Sequence, residues 1–246
     1  ENIDTKFCQK KNIQVFSSPE GNRDAVAEHT LGMLLMLQNN LKRADSEVRD
    51  GVWRRAENRG YELKGKTIGL IGYGIMGKAL AQRLSGFETK IIAFDKYKIN
   101  YSDSITEEVS LEILMQKSDI ISVHTNYLPD NKYIVDANFI DNVKKPFVLI
   151  NTARGFNVNT KELVVGLKSG KVLGACLDVL EYESNSFESV SQLQNCSELE
   201  YLKQSTNVIL SPHIAGWSHE SYFKLSNVLA EKIEEWTNLE ALNNEI

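Results

Sequence analysis

The chain has 246 residues, 42% hydrophobic and 25% charged, enough for one large or two modest globular domains with a sizeable core. Its net charge of -5 and pI near 5.5, with no block of consecutive Lys or Arg, exclude the basic footprint of a nucleic-acid or anionic-membrane binder. The longest apolar run, 31–37, is broken by a glycine and too short to span a bilayer, and the odd set Cys8, Cys176 and Cys196 lacks paired spacing, which suits a reducing cytoplasm.

In chain order, residues 13–16 (Ile-Gln-Val-Phe) form a single strand candidate with no partner nearby. Residues 24–40 are apolar almost all round (Ala25, Val26, Ala27, Leu31, Met33, Leu34, Leu35, Met36, Leu37), which predicts a helix packed on the main domain and on something else as well. From Lys66 onward short apolar runs alternate with segments of helical period. Strands are expected near 67–72, 90–94, 119–123, 147–151, 172–177 and 207–210, with helices over 78–84, 111–117, 136–143 and 160–169. That order predicts an α/β domain with a doubly wound parallel sheet. The polar stretch 184–205 interrupts it and reads as a surface loop with a helical turn, and a further helix begins near Ser218.

The first strand runs into Gly72-Tyr73-Gly74-Ile75-Met76-Gly77 and a helix, the G-x-G-x-x-G arrangement in its required context. The first glycine permits the tight turn, the second lets backbone approach a pyrophosphate, and the third lets helix and strand pack closely. Ile75 and Met76 then present amides at a helix N-terminus. A bare motif of this kind can be a plain turn, but Asp95 ends the next strand, where an acid accepts ribose hydroxyls and repels a 2′-phosphate. NAD is therefore the expected cofactor, although Lys96 and Lys98 nearby pull towards NADP.

In open α/β sheets ligands lie at the carboxyl ends of the strands. Arg154 follows the strand 147–151, Asp178 and Glu183 follow 172–177, and His213 follows 207–210. Singly they read as a helix-start arginine, loop acids and a turn histidine; at successive strand ends of one sheet they read as a site. A histidine near neutrality can take and return the proton of a secondary alcohol, a carboxylate beside it stabilises the imidazolium, and arginine offers a planar fork to a carboxylate. His213, His219 and Cys176 lack ligand spacing, so no metal site is expected.

Together "ENID" at 1–4, "PEGNRDAVAEHTLGMLL" at 19–35, "GKTIGLIGYGIMG" at 65–77, "NTARG" at 151–155, "LDVLEYE" at 177–183 and "SPHIAGW" at 211–217 resemble the D-isomer-specific 2-hydroxyacid dehydrogenases, most closely the D-3-phosphoglycerate dehydrogenase branch. The resemblance implies an NAD-dependent oxidoreductase acting on a small 2-hydroxy or 2-keto acid, with glycerate/hydroxypyruvate or glyoxylate as alternative substrates. In it Arg154 binds the substrate carboxylate and carbonyl, Glu183 pairs with His213, and His213 moves the proton. Asp178 holds the nicotinamide carboxamide, while His124, Thr125, Thr152, Ala153, Ala215 and Gly216 line the cofactor. It further implies a homodimer through 24–53, an NAD-binding domain over 19–216, a remnant of a flavodoxin-like substrate lobe at 1–18, and a C-terminal helix, 217–246, returning to that lobe. The first part of the lobe would precede Glu1, so the chain as it stands is expected to bind NADH without turnover. Departures are Ser184, where the family often has proline, and 124–128 in place of a commoner "HxPLT". A dehydrogenase-like NAD sensor acting as a binding scaffold is the competing reading.

Overall fold

The computed structural model describes residues 3–183 and 196–243. Among them seven strands form one parallel sheet: β1 (Thr67–Ile71), β2 (Lys90–Phe94), β3 (Thr106–Glu108), β4 (Ile120–Val123), β5 (Phe147–Asn151), β6 (Val172–Leu177) and β7 (Val208–Leu210). Their order is β3-β2-β1-β4-β5-β6-β7. It reverses between β1 and β4, where Ile71 pairs with Val123, and the crevice of a doubly wound sheet opens beyond that pair.

Both faces of the sheet are covered, which is why its strands read as unbroken apolar runs. Alternation within each strand divides them between two cores. Ile68, Leu70, Ile120, Val148 and Ile150 face one layer with α2 (Arg23–Gln38) and α4 (Ile75–Leu84). Ile71, Ile121, Val123 and Leu149 face the other, formed with α5 (Leu111–Lys117), α6 (Ala137–Asn142), α7 (Thr160–Ser169) and α8 (Ser197–Gln204). Local chemistry sets the helix starts. Ser110, Asp136 and Asn159 each accept from a first-turn amide, and Gly170 stops α7 in the left-handed conformation.

Three expectations need correction. Residues 13–16 form no strand: they follow a short helix, α1 (Thr5–Lys10), without regular secondary structure, and Phe16 stacks edge-on against Trp236 at 6.0 Å. They pair with neither edge strand of the sheet, β3 nor β7, and the apolar residue packs on a helix instead. The sheet gains β3, whose Thr-Glu-Glu sequence carries no apolar period. Within 184–205, two turns of helix stand as α8 because Leu199 and Leu202 are buried; Ser184 and the rest of that stretch to 195 lie outside the described residues.

On α2 one face is buried (Val26, Ala27, Thr30, Met33, Leu34) while Met36 remains exposed. The next helix, α3 (Leu41–Arg49), has no buried residue. The last described helix, α9 (His219–Asn243), packs on the turn Pro19–Gly21, with Lys232 donating to the Ser17 carbonyl and to Glu20. Leu225, Val228 and Leu229 are half-buried there, whereas Trp217, Tyr222 and Phe223 are exposed.

Candidate active site

The glycine-rich turn follows from close contact. Gly72 has φ +96, and a β-carbon there would stand 2.7 Å from the His124 carbonyl; at Gly77 it would stand 2.3 Å from the Gly72 carbonyl. At Gly74 it would meet nothing within 4 Å, so this glycine leaves space open to the cleft. Gly74, which lines the cleft, is also the N-cap of α4 and supplies no side chain, so the first turn, Ile75 and Met76 included, has no side-chain cap. Asp95 accepts from the amides of Tyr73 and Tyr97, both at 2.9 Å. It lines a cleft of about 280 Å³ with Gly72, Gly74, His124, Thr125 and Asn131.

In that cleft the Thr125 hydroxyl is buried without a partner among the described residues, a group that a bound ligand's oxygens would satisfy. Burial lowers the His124 pKa to about 4, and its Nε2 lies 2.9 Å from Ser122 Oγ. Lys96 pairs with Asp130 at 2.9 Å and Lys98 donates to the Tyr73 carbonyl at 3.0 Å. An open glycine, an uncapped helix start, an acid at the end of β2 and an orphan hydroxyl fit a dinucleotide.

The expected reactive residues stand at the ends of β5, β6 and β7. Asn151, the last residue of β5, receives the Ala153 amide and donates to the Arg154 carbonyl, folding 151–154 into a tight turn. Thr152 Oγ1 lies 3.0 Å from Thr30 of α2, Ala153 is buried, and Arg154 Nη1 donates to the Ala153 carbonyl at 2.8 Å. A β-carbon on Gly155 would overlap the Leu180 carbonyl at 2.0 Å, so this position brings the two loops into contact. In the second loop Glu183 accepts from the Leu180 amide through one oxygen, and its other oxygen lies 2.7 Å from His213 Nδ1. His213 itself adopts a left-handed φ of +56.

Asp178 is buried, and its carboxylate accepts from Ser211 Oγ at 2.6 Å, the Ile214 amide at 2.9 Å and the Ala215 amide at 2.8 Å, while its carbonyl accepts from the His213 amide at 2.7 Å. It staples the loop that displays His213, beyond the cofactor contact the resemblance implies. Ala215 is buried beneath that loop, and a β-carbon on Gly216 would crowd Asn22 at 2.6 Å.

Sequence reasoning missed the contribution of α2. His29 Nε2 lies 2.9 Å from Ser211 Oγ and 3.6 Å from Asp178, so this helix buttresses the His213 loop. It also missed Glu181, which accepts from Tyr133 and from the Thr160 amide at the start of α7. Spacing carries no signal for such contacts, because each joins residues far apart in the chain. Among the described residues no His, Cys, Asp and Glu cluster could hold a metal, and no helix is long and apolar enough to cross a membrane.

A parallel sheet with this reversal, a glycine-rich turn closed by an acid, and a carboxylate-paired histidine at a strand end define a dinucleotide-dependent oxidoreductase domain. Residues 31–215 match the NAD-binding domain of the D-isomer-specific 2-hydroxyacid dehydrogenases, and the chain belongs to that family. It is 34% identical to the hydroxypyruvate reductase of Thermotoga maritima over 95% of this chain and 73% of that protein. It is 31% identical to the D-3-phosphoglycerate dehydrogenase of Haemophilus influenzae over 96% of this chain and 56% of that protein. The solved D-lactate dehydrogenase of Aquifex aeolicus, complexed with NAD and lactic acid, superposes with a TM-score of 0.82 at 30% identity, covering 98% of this chain and 75% of that one.

Proposed function

We propose that the protein transfers a hydride between NAD and a small D-2-hydroxy acid, with His213 moving the proton. The observation that carries this is His213 Nδ1 at 2.7 Å from Glu183, on a loop stapled by Asp178 at the carboxyl edge of the sheet. NAD, when bound, supplies the hydride acceptor. With Nδ1 committed to Glu183, the Nε2 atom takes the hydroxyl proton in oxidation and returns it in reduction; Glu183 stabilises the imidazolium between the two. Arg154 carries a fixed positive charge on the loop beside it and holds the acid's carboxylate. Asp178, Thr125, Thr152, Ala153, Ala215 and Gly216 shape the cofactor side.

D-3-phosphoglycerate is the first substrate proposed. Hydroxypyruvate and glyoxylate are the alternatives, supported by relatives named hydroxypyruvate reductase and glyoxylate reductase at 34% and 35% identity, against 31% for the D-3-phosphoglycerate dehydrogenase. NADH oxidation by the full-length gene product with 3-phosphohydroxypyruvate, hydroxypyruvate and glyoxylate tests the assignment. Turnover of the first identifies the phosphoglycerate branch. NADH binding with no turnover of any 2-keto acid overturns the enzyme reading in favour of a binding scaffold.

Two further assignments rest on packing. The exposed Met36, Leu41, Val48 and Trp53 on and after α2 and α3 support a homodimer through 24–53, checked by sedimentation at micromolar concentration. Contacts of Phe16 with Trp236 and of Lys232 with Ser17 support grouping 1–18 with 217–246 as part of a substrate lobe. Three cysteines that are all free support a reducing, cytoplasmic setting.

A further inference from the structure

Tyr73, the variable second position of the glycine-rich turn, is 1% exposed, although side chains in such turns commonly face solvent. A buried hydroxyl costs stability unless it is hydrogen-bonded, and this one is bonded twice. It donates to Asp103 Oδ2 at 2.8 Å and lies 2.9 Å from Thr106 Oγ1, which can donate back. Asp103 is itself fixed, its other oxygen accepting from the Ile105 and Thr106 amides, both at 2.9 Å. Thr106 begins β3, so the anchor is tied into the sheet. The Tyr73 ring also packs on Tyr101 at 5.5 Å.

The backbone of the same residue is engaged at both ends. Its amide donates to Asp95 Oδ2 and its carbonyl accepts from Lys98 Nζ. One side chain therefore fixes the amide that aims the Asp95 carboxylate and the carbonyl that holds one of the two lysines beside it. A phenylalanine would fill the same apolar space, so packing alone does not account for the hydroxyl.

We infer that Tyr73 is a positioning residue for cofactor selection: anchored on Asp103 and Thr106, it sets Asp95 against the adenosine ribose and keeps Lys98 away from the 2′-position. The inference rests on the dinucleotide reading of the cleft. Loss of the anchor frees the turn, so Asp95 meets the ribose hydroxyls less well and repels a 2′-phosphate less strongly, while Lys98 becomes available to one.

The test is NADH and NADPH titration by fluorescence on wild type, Tyr73→Phe and Asp103→Asn, with thermal unfolding of each. Tyr73→Phe is expected to weaken NADH by about three- to tenfold, the scale of one hydrogen bond, while NADPH changes less, so that selectivity narrows. Asp103→Asn should move selectivity in the same direction by a smaller factor, and the double variant should fall short of the product of the two, since both break one contact. Equal weakening of both cofactors, or a lower Tm with unchanged affinities, reduces Tyr73 to a packing residue and overturns the inference. If Tyr73→Phe does not fold, Asp103→Asn decides by the same ratio. Failure of wild type to bind either nucleotide would instead remove the dinucleotide reading, and this inference with it.

Discussion

His213 Nδ1 lies 2.7 Å from Glu183 Oε2, with the two side chains only 23% and 15% exposed, so the pair is shielded while the ring keeps some access to solvent. A carboxylate in that position orients the ring and fixes which nitrogen carries the mobile proton. His213→Ala is expected to lose about 10²-fold or more in kcat, the usual scale for a general acid–base, with NADH affinity changed only a few-fold. Retained turnover would assign the proton to another group.

Glu183→Gln keeps a hydrogen-bond acceptor but removes the charge. The loss of kcat should be the smaller one, about tenfold, as for replacing a charge-assisted hydrogen bond by a neutral one. Unchanged kcat in the variant would count against the pairing.

The glycines of the turn separate folding from binding. Gly74→Ala adds a methyl to empty space, so Tm should hold within about 2 °C, while NADH affinity drops about tenfold or more because the methyl occupies the pyrophosphate's approach. Gly72→Ala meets the His124 carbonyl and an unfavourable φ, and should cost about 1–3 kcal/mol of stability. Equal effects of the two on Tm would refute this division.

The glycine-rich turn was legible because a tight strand-to-helix turn requires glycine at fixed spacing, and the placement of Arg154, Glu183 and His213 at neighbouring strand ends because strand ends in a parallel sheet converge. The Asp178 staple was not. Its carboxylate reads like any loop acid until the chain from Ser211 to Ala215 folds over it, and the same holds for His29 and Tyr73. The strand expected at 13–16 failed for a related reason: apolar alternation shows that a segment can be half-buried and says nothing of what buries it. β3 went unseen because it is held by the Asp103 turn and its ladder with β2, with no hydrophobic period of its own.

Asp178→Asn tests the staple directly. The change replaces one carboxylate oxygen by an NH₂ group that must face either the Ala215 amide or the donors on the other oxygen, leaving a buried donor opposed to a donor. A loss of about 2–3 kcal/mol is expected, the scale for hydrogen bonds to a buried charge. Chemical denaturation measures it, and His213-dependent turnover should fall with it because the loop loses its fixed register. Wild-type stability in the variant would show that the loop is held elsewhere.

Acid should lower folding stability through His124. Its pKa of about 4 in the folded protein, against 6.5 for an ordinary histidine, comes from burial. The unfolded chain therefore binds a proton through the window from about 6.5 down to 4 that the folded one refuses, and folding stability, intact above that window, declines as pH falls across it. The full shift corresponds to an upper bound of about 3 kcal/mol, and partial solvent access at this half-buried residue brings the expected loss to about 1–2 kcal/mol. The ring bonds Ser122 on β4 and stays neutral in the folded protein across that window, so NADH affinity should hold until the pH approaches 4. His124→Asn keeps a hydrogen-bonding side chain that does not titrate. Its stability, followed by urea denaturation between pH 7 and pH 4.5, should be flatter than wild type by that margin. Parallel curves for the two proteins would place the acid sensitivity on other groups.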